Sequence, residues 1–455
     1  MEWGKLISTK RLGIDNRKVS DYDKRTTFES DKDRILFSSS FRRLSKKTQV
    51  HPFSKNDHVH TRLTHSLEVA QVGKSLGKTL ATHIKDKLPY KISENDIGSI
   101  VQAACLAHDI GNPPFGHAGE EAISHWFKSG GIGDQLNHIK EDRVNDLKLF
   151  EGNAQGFRIL TQLENHLFKG GLRLTFTTLA TFLKYPWLSS AVQGNDKFGV
   201  FLSEQKIVEE IANTLGLIKK GNNKWCRHPL AFLSEAADDI CYATIDLEDA
   251  VELKIIPYKQ AEKLLLSIFD KEVCKELRNS LENVNSYRVN FSRLRGPVFD
   301  KLIKEAIESF LQNEYKIMNG ELEENLFSVL PDDNPCRKLI AEAKKIGHEN
   351  IYTETFKSEI ELGCFSTLEC LLEAFCKAAV ERYNHIQNEK ESVVSWKSNL
   401  VLRHLGNHAP TKKNHPPDQL WDKYLCIRRV IDYVSGMTDD YASRFSSQIR
   451  GILVR

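Results

Sequence analysis

Apolar residues recur along this chain at the three- and four-residue intervals of an α-helix, and seldom at the alternation of a strand. From Thr61 to Ile84, Leu63, Leu67, Ala70, Leu76 and Leu80 share one stripe, which predicts a buried helix. A second helix is predicted from Ser93, where SEND reads as a capping box with Asp96 reaching back to the helix start. It continues through Ile97, Ile100, Val101, Ala104 and Leu106 to the breaker at Gly111–Pro114. Between 228 and 253, Pro229 suits a first turn, and Leu230, Leu233, Ala237, Ile240, Cys241, Ile245 and Leu247 form an apolar face interrupted by Glu235, Asp238, Asp239 and Asp246. Carboxylates on such a face are costly to bury unless paired or bound to a cation.

Elsewhere the pattern is helical at 150–163, 170–186, the amphipathic EQKIVEEIANTLGL, 258–288, 294–317, 335–347, 363–385 and from Asp418 to Arg455. Ser30 with Asp31 and Asp33 predicts the start of a short helix running to Leu44. Residues 1–30 are polar and read as a loosely packed arm; 127–150 reads as a surface loop or insertion, and 187–202 and 217–227 as loops. A proline and a turn signal within TQVHPFSKNDHVH predict a small hairpin or loop near 45–60. There is no internal repeat and no βαβ rhythm with a phosphate-binding glycine loop. The expected fold class is mostly α.

Composition narrows the context. With 455 residues and a formal charge of +3, the overall balance does not argue for nucleic acid or an acidic membrane, although a local basic patch stays open. Nine cysteines without CxxC spacing read as reduced, buried thiols of a cytoplasmic protein. The start MEWGKLISTKRLG is too polar for a signal peptide, and no apolar run reaches the ~20 residues of a spanning helix. No membrane partner is expected.

The densest candidate chemistry lies in LAHDIGNPPFGHAGEEAI (106–123), where His108, Asp109, His117 and Glu120 fall within thirteen residues. His65 and Asp238, on other predicted helices, complete a possible set of two imidazoles and two carboxylates. Packed helices can gather such groups around one divalent ion, and no thiolate is needed, which argues against a structural zinc site. Each residue alone has a plainer reading: His65 as a packed histidine, Arg62 as a surface arginine pairing with Glu68, Tyr242 as a packing tyrosine. Asp239 competes with Asp238, whose four-residue spacing to Tyr242 and Asp246 puts those three near one helix face.

Taken together, FRRLSKKTQV (41–50), RLTHSLEVA (62–70), AHDIGNPPFGHAGEEAI (107–123), FEGNAQGFRIL (150–160), EAADDICYATIDLEDA (235–250) and DYVSGMTDDYA (432–442) resemble the bacterial deoxyguanosine triphosphate triphosphohydrolases of the HD-domain superfamily. The resemblance implies an HD-domain helical bundle with additional helices, an arm at 1–30, a catalytic core at 31–255, and a helical region at 256–455 that packs on the core and contributes oligomer contacts. It implies that His65, His108, Asp109 and Asp238 hold one divalent ion per subunit, manganese or magnesium first, with iron, cobalt, nickel or zinc as alternatives. His117 matches the catalytic histidine and Glu120 the carboxylate that orients it. Arg62 matches an α-phosphate contact, Tyr242 and Asp246 the pair that senses the deoxyribose 3′-OH, and Gln49 a residue near sugar and base.

The implied reaction converts dGTP to deoxyguanosine and triphosphate. Alternatives are a broader dNTP triphosphohydrolase, an HD phosphodiesterase on another nucleotide, and a nucleic-acid-binding regulator with a vestigial metal site. The resemblance further implies a homo-oligomer, a hexamer in the family. Because some relatives bind single-stranded DNA, Arg428, Arg429, Arg444, Arg450 and Arg455 are phosphate-contact candidates, against the plainer reading of a solvated helix face.

Overall fold

The computed structural model describes residues 1–14, 22–49, 56, 58–165, 169–192, 196–281, 286–347, 355–387, 393–410 and 422–452. Its main elements are α1 (Thr27–Leu36), α2 (Arg62–His83), α3 (Glu94–Ala107), α4 (His117–Lys128), α5 (Gly152–Arg158), α6 (Phe176–Phe182), α7 (Gln205–Leu215), the antiparallel ribbon β1 (Lys219–Gly221) and β2 (Lys224–Trp225), α8 (Ala231–Glu252), α9 (Tyr287–Gln312), α10 (Pro335–Ile346), α11 (Thr355–Gln387), α12 (Lys423–Ser435) and α13 (Asp439–Ile449). The fold is mostly α, as the periodicity predicts. Among the described residues no helix is long and apolar enough to cross a membrane, and no cysteine forms a disulfide.

Helices α2 and α3 make the most extensive pairing in the molecule. Their approach depends on two glycines one turn apart: a Cβ at Gly73 would stand 2.5 Å from Cys105 Sγ, and one at Gly77 2.9 Å from the Ile97 carbonyl oxygen. Any side chain there would push apart the two helices that carry the candidate ligands. Helix α8 packs on both, and α9 and α10 pack on α8, so Val69, Leu76, Ile100, Ala104 and Ile240 lie in one large core.

A second core is separate from the first. In it, Ile123 and Phe127 of α4 meet Leu368, Leu372 and Phe375 of α11, Ile427, Val430 and Val434 of α12, and Ala442 of α13. The seam between the cores holds buried ion pairs: Arg158 at the end of α5 grips Asp432 of α12 through Nε and Nη2, both at 2.8 Å, and Glu204 through Nη1 at 2.6 Å. Inside the second core, Arg428 donates to Asp146 at 2.6 Å and stacks over Phe201.

Several expectations are corrected. The start of the chain is not loosely packed: Trp3, Leu6 and Leu12 are buried, and Arg11 forms a buried ion pair with Asp31 at 2.5 Å. Asp31 is therefore a core partner and not a helix-start residue; α1 begins at a Thr26–Glu29 capping box. The stretch 127–150 buries Phe127 and Leu147 and forms helical turns. At 170–186 the helix covers only α6, because Gly170 and Gly171 take left-handed conformations before the Thr175 cap.

The small hairpin lies at 219–225, inside a predicted loop. Near 45–60 the structure has an antiparallel bridge between Thr48 and Thr61, and residues 50–55 and 57 lie outside the described residues. Along α2 the predicted stripe is rotated: Leu67 is 36% exposed, while Arg62, His65, Ser66 and Val69 face inward. Arg428 and Arg429 are buried, which removes them from a solvated DNA-binding face; Arg444 and Arg450 are exposed, and Arg455 lies outside the described residues.

Candidate active site

The first turn of α2 brings two candidate site residues, Arg62 and His65, inward. Thr61 and Thr64 cap each other reciprocally, which starts the helix at Arg62 and leaves Arg62 and His65 buried at 6% and 1% exposure. Helix α3 ends at Ala107, so His108 and Asp109 follow where the chain leaves the helix. The His108 Nδ1–H donates to the Cys105 carbonyl at 2.7 Å, and this backbone bond fixes the ring so that Nε2 faces the site. Nε2 lies 3.6 Å from Asp109 Oδ2 and 3.7 Å from Asp238 Oδ1 of α8. The remaining approach is His65 Nε2 to Asp238 Oδ1 at 3.2 Å.

His65, His108 and Asp109 each offer a ligand atom within 4.8 Å of the others. Asp238 joins them from α8. Its neighbour Asp239 turns away to pair with Lys344 at 2.6 Å, and burial pushes its carboxyl up to about 6 despite that lysine. Burial would raise Asp109 too, but Arg62, His108 and His65 hold it at about 2. Asp238 is likewise held low against burial by His108 and His65.

Burial alone would lower His65, yet its bond to Asp238 and the charges of Asp238, Asp246 and Asp109 raise it to about 9. The same negative potential favours a divalent cation in place of that proton. Two imidazole nitrogens and two carboxylates, without a thiolate, suit a borderline or hard divalent ion.

Gly116 has φ +60°, and a Cβ there would lie 2.7 Å from Arg62 Nη2. Its left-handed backbone turns the chain into α4, whose first residue is His117. The His117 side chain is 77% exposed and is anchored through Nδ1 to Glu120 Oε2 at 2.7 Å. Glu120 is buried, and its other oxygen accepts from the Gly152 N–H at 2.8 Å. Burial opposes its charge, but the His117 bond and the charges of His117 and Lys197 keep its carboxyl low. This hydrogen bond leaves Nε2 as the ring nitrogen available to a ligand.

Arg62, His108, Asp109, Asp238, His117 and Glu120 open into one cavity of about 640 Å³, lined also by Gln49, Tyr242, Lys184, Tyr185, Lys197 and Lys344, whereas His65 is buried and does not line it. Arg62 is held by Asp109 at 2.7 Å, Lys184 by Glu235 at 3.1 Å and Lys197 by Glu151 at 2.9 Å. Gln49 Oε1 is buried without a hydrogen-bond partner. The Tyr242 hydroxyl lies against Gly347, where a Cβ would come within 2.0 Å of it.

Asp246 is not brought to the cavity wall: it is 3% exposed and one turn further along α8, with Oδ1 unpartnered. Burial, with Asp249 and Asp238 adding to it, raises its carboxyl to about 7 despite His65. Lys184 and Tyr185 fall at the end of a predicted helix that stops at Phe182, and Lys197 in a predicted loop, so periodicity does not direct any of them to the cavity. The adjacent Lys184 and Tyr185 after an apolar helix were the available signal.

The HD domain family matches residues 62–171. The chain is 42% identical over 457 residues to a deoxyguanosinetriphosphate triphosphohydrolase-like protein of Pseudomonas aeruginosa, covering 99% of each. A protein of the same description from Synechocystis sp. is 38% identical over 99% of this chain and 100% of its own. A deoxyguanosinetriphosphate triphosphohydrolase of Yersinia enterocolitica is 31% identical over 97% of each.

Proposed function

Because the chain belongs to the deoxyguanosinetriphosphate triphosphohydrolase family of HD-domain phosphohydrolases, we propose that it hydrolyses dGTP to deoxyguanosine and inorganic triphosphate. The observation that carries this reading is that His108, Asp109 and Asp238 line one lysine-rimmed cavity together with the His117–Glu120 pair, while the fourth candidate ligand, buried His65, contacts Asp238. In the reaction a water oxygen bonds to the α-phosphorus, the bond from that phosphorus to the 5′ oxygen breaks, and the leaving alkoxide takes a proton.

His65, His108, Asp109 and Asp238 would hold the divalent ion, manganese or magnesium first. When bound, such an ion supplies a Lewis acid for an anionic phosphoryl group. Arg62, braced by Asp109, offers a planar two-pronged cation to the α-phosphate. Lys184 and Lys197 are assigned to the outer phosphates, because each is held at the cavity by a carboxylate. His117 moves a proton through Nε2 while Glu120 keeps Nδ1 occupied, a task imidazole performs near neutral pH.

Gln49, with its unpartnered oxygen, is assigned to the sugar and base. Tyr242, which lines the cavity, is assigned to the 3′-hydroxyl, with Asp246 one turn along α8 as the second member of the pair. In this reading residues 31–255 carry the chemistry, and 256–455 pack on them and supply the surfaces of a cytoplasmic homo-oligomer, a hexamer by family resemblance.

The test is a panel of the four dNTPs, alone and in pairs, incubated with the purified protein and manganese or magnesium. Products are followed by phosphorus NMR. Triphosphate from dGTP is expected. Equal rates with all four bases would replace the dGTP assignment with a broader dNTP triphosphohydrolase, and release of phosphate or pyrophosphate would refute the reaction.

A further inference from the structure

The candidate site is assembled across two cores. Its candidate metal-ligating side chains stand on α2, just past the end of α3 and on α8 of the first, whereas α4, which begins with His117, is packed in the second. Apolar packing within each core does not by itself fix how the proton-transfer histidine sits relative to the ligands. That relation has to be set at the seam, and two buried side chains cross it beside the catalytic loop.

Asp439, the first residue of α13, is 3% exposed. Its Oδ1 accepts the Phe115 N–H at 3.0 Å. Its Oδ2 accepts the Thr48 N–H at 3.0 Å and the Thr48 hydroxyl at 2.7 Å. One carboxylate thus holds the residue before Gly116 and His117, and also the residue before Gln49.

Phe115 has φ +65°, a backbone conformation that an aromatic L-residue adopts only when its surroundings enforce it. Beside it, Lys47 Nζ donates to the Ser435 carbonyl at 2.8 Å and to the Asn112 carbonyl at 2.5 Å. Asn112 in turn donates from Nδ2 to Asp109 Oδ1 at 2.5 Å. The junction of α12 and α13 is therefore tied to both the ligand end and the histidine end of the 109–117 loop.

We propose that Asp439 is a positioning residue, which sets the place of His117 relative to the metal-ligating side chains by anchoring the strained Phe115 backbone and Thr48 from the second core. The inference rests on the assignment of His117 to proton transfer. It also gives the DYVSGMTDDYA segment a part in the chemistry, although Asp439 is not itself a cavity-lining residue.

Asp439→Asn keeps the size of the side chain but turns one of its two acceptors into a donor facing a donor. Misplacement of a reacting group by about 1 Å costs on the order of 10²-fold in rate. The full-length variant is expected to retain manganese per subunit, to lose on the order of 10²-fold in kcat on dGTP with a smaller change in KM, and to show faster hydrogen exchange confined to 44–49 and 112–117. A folded, metal-bearing variant with kcat within about threefold of wild type and unchanged exchange at 112–117 would overturn the inference.

Exchange that rises throughout the chain would also overturn it, since that marks general loosening. If Asp439→Asn does not fold, Lys47→Met tests the same brace from its other contact, with the same local exchange expected. A wild-type protein that forms no triphosphate would remove the proposed reaction, while the exchange comparison still decides whether Asp439 anchors the loop.

Discussion

Replacing Asp238 with asparagine should strip the site of metal, whereas the same change at Asp239 should not. Asp238 Oδ1 lies 3.2 Å from His65 Nε2 and 3.7 Å from His108 Nε2, so a cation among those nitrogens would sit within about 4 Å of the carboxylate. Unit charges about 4 Å apart interact by about 4 kcal/mol at an effective dielectric near 20, roughly a 10³-fold change in Kd. Solvent at this 39% exposed side chain screens part of that, which leaves about 10²–10³-fold. Asp239 is already paired with Lys344, and its loss should change metal affinity by less than about tenfold.

Manganese content after dialysis, together with a calorimetric titration of each variant, gives the answer without depending on any substrate. Metal retained by Asp238→Asn and lost by Asp239→Asn would exchange the two assignments. Metal retained by both would remove α8 from the ligand set.

Three further outcomes are expected. His117→Ala should keep its metal and lose about 10²–10⁴-fold in kcat, and turnover near wild type would dismiss the proton-transfer role. Burial would lower His60, but its bonds to Asp249 and Glu68 raise it to about 10. A raised folded-state value means the stabilisation is complete below the ordinary value of about 6.5 and fades as pH climbs towards 10, by at most about 1.4 kcal/mol per unit. His60→Asn should therefore flatten the decline of Tm over that window, and an unaltered slope would show that the clamp is not charged. Arg158→Met leaves Asp432 and Glu204 buried without their cation and should cost ~3–5 kcal/mol, read as a lower denaturant midpoint; an unchanged midpoint would mean the seam does not depend on this pair.

Helix existence was the most legible feature, because long periodic segments carry their own signal. The Ser93–Asp96 capping box is the clearest case: the predicted reciprocal bonds are present. Where one residue type serves two purposes the sequence was ambiguous. Asp31 looks like a helix-start carboxylate yet neutralises buried Arg11, and Asp439, which does start α13, also spans to Thr48 and Phe115.

The periodicity of α2 located the helix but not its rotation, since a helix whose buried face carries Arg62, His65 and Ser66 violates the apolar pattern where its function lies. Lys184 and Lys197 were invisible for a different reason. They reach the cavity from irregular connections, so only the folded chain brings them beside Glu235, Glu151 and Glu120. The two-core division was equally hidden, because the helices of the second core are drawn from residues hundreds of positions away from α4.

In the proposed reaction water attacks the α-phosphorus and releases the nucleoside through its 5′ oxygen. Hydrolysis of dGTP in ¹⁸O-labelled water tests it most directly, with both products analysed by mass spectrometry. One labelled oxygen is expected in inorganic triphosphate and none in deoxyguanosine. Label in the 5′-hydroxyl of the nucleoside, or labelled phosphate or pyrophosphate in place of triphosphate, would contradict it.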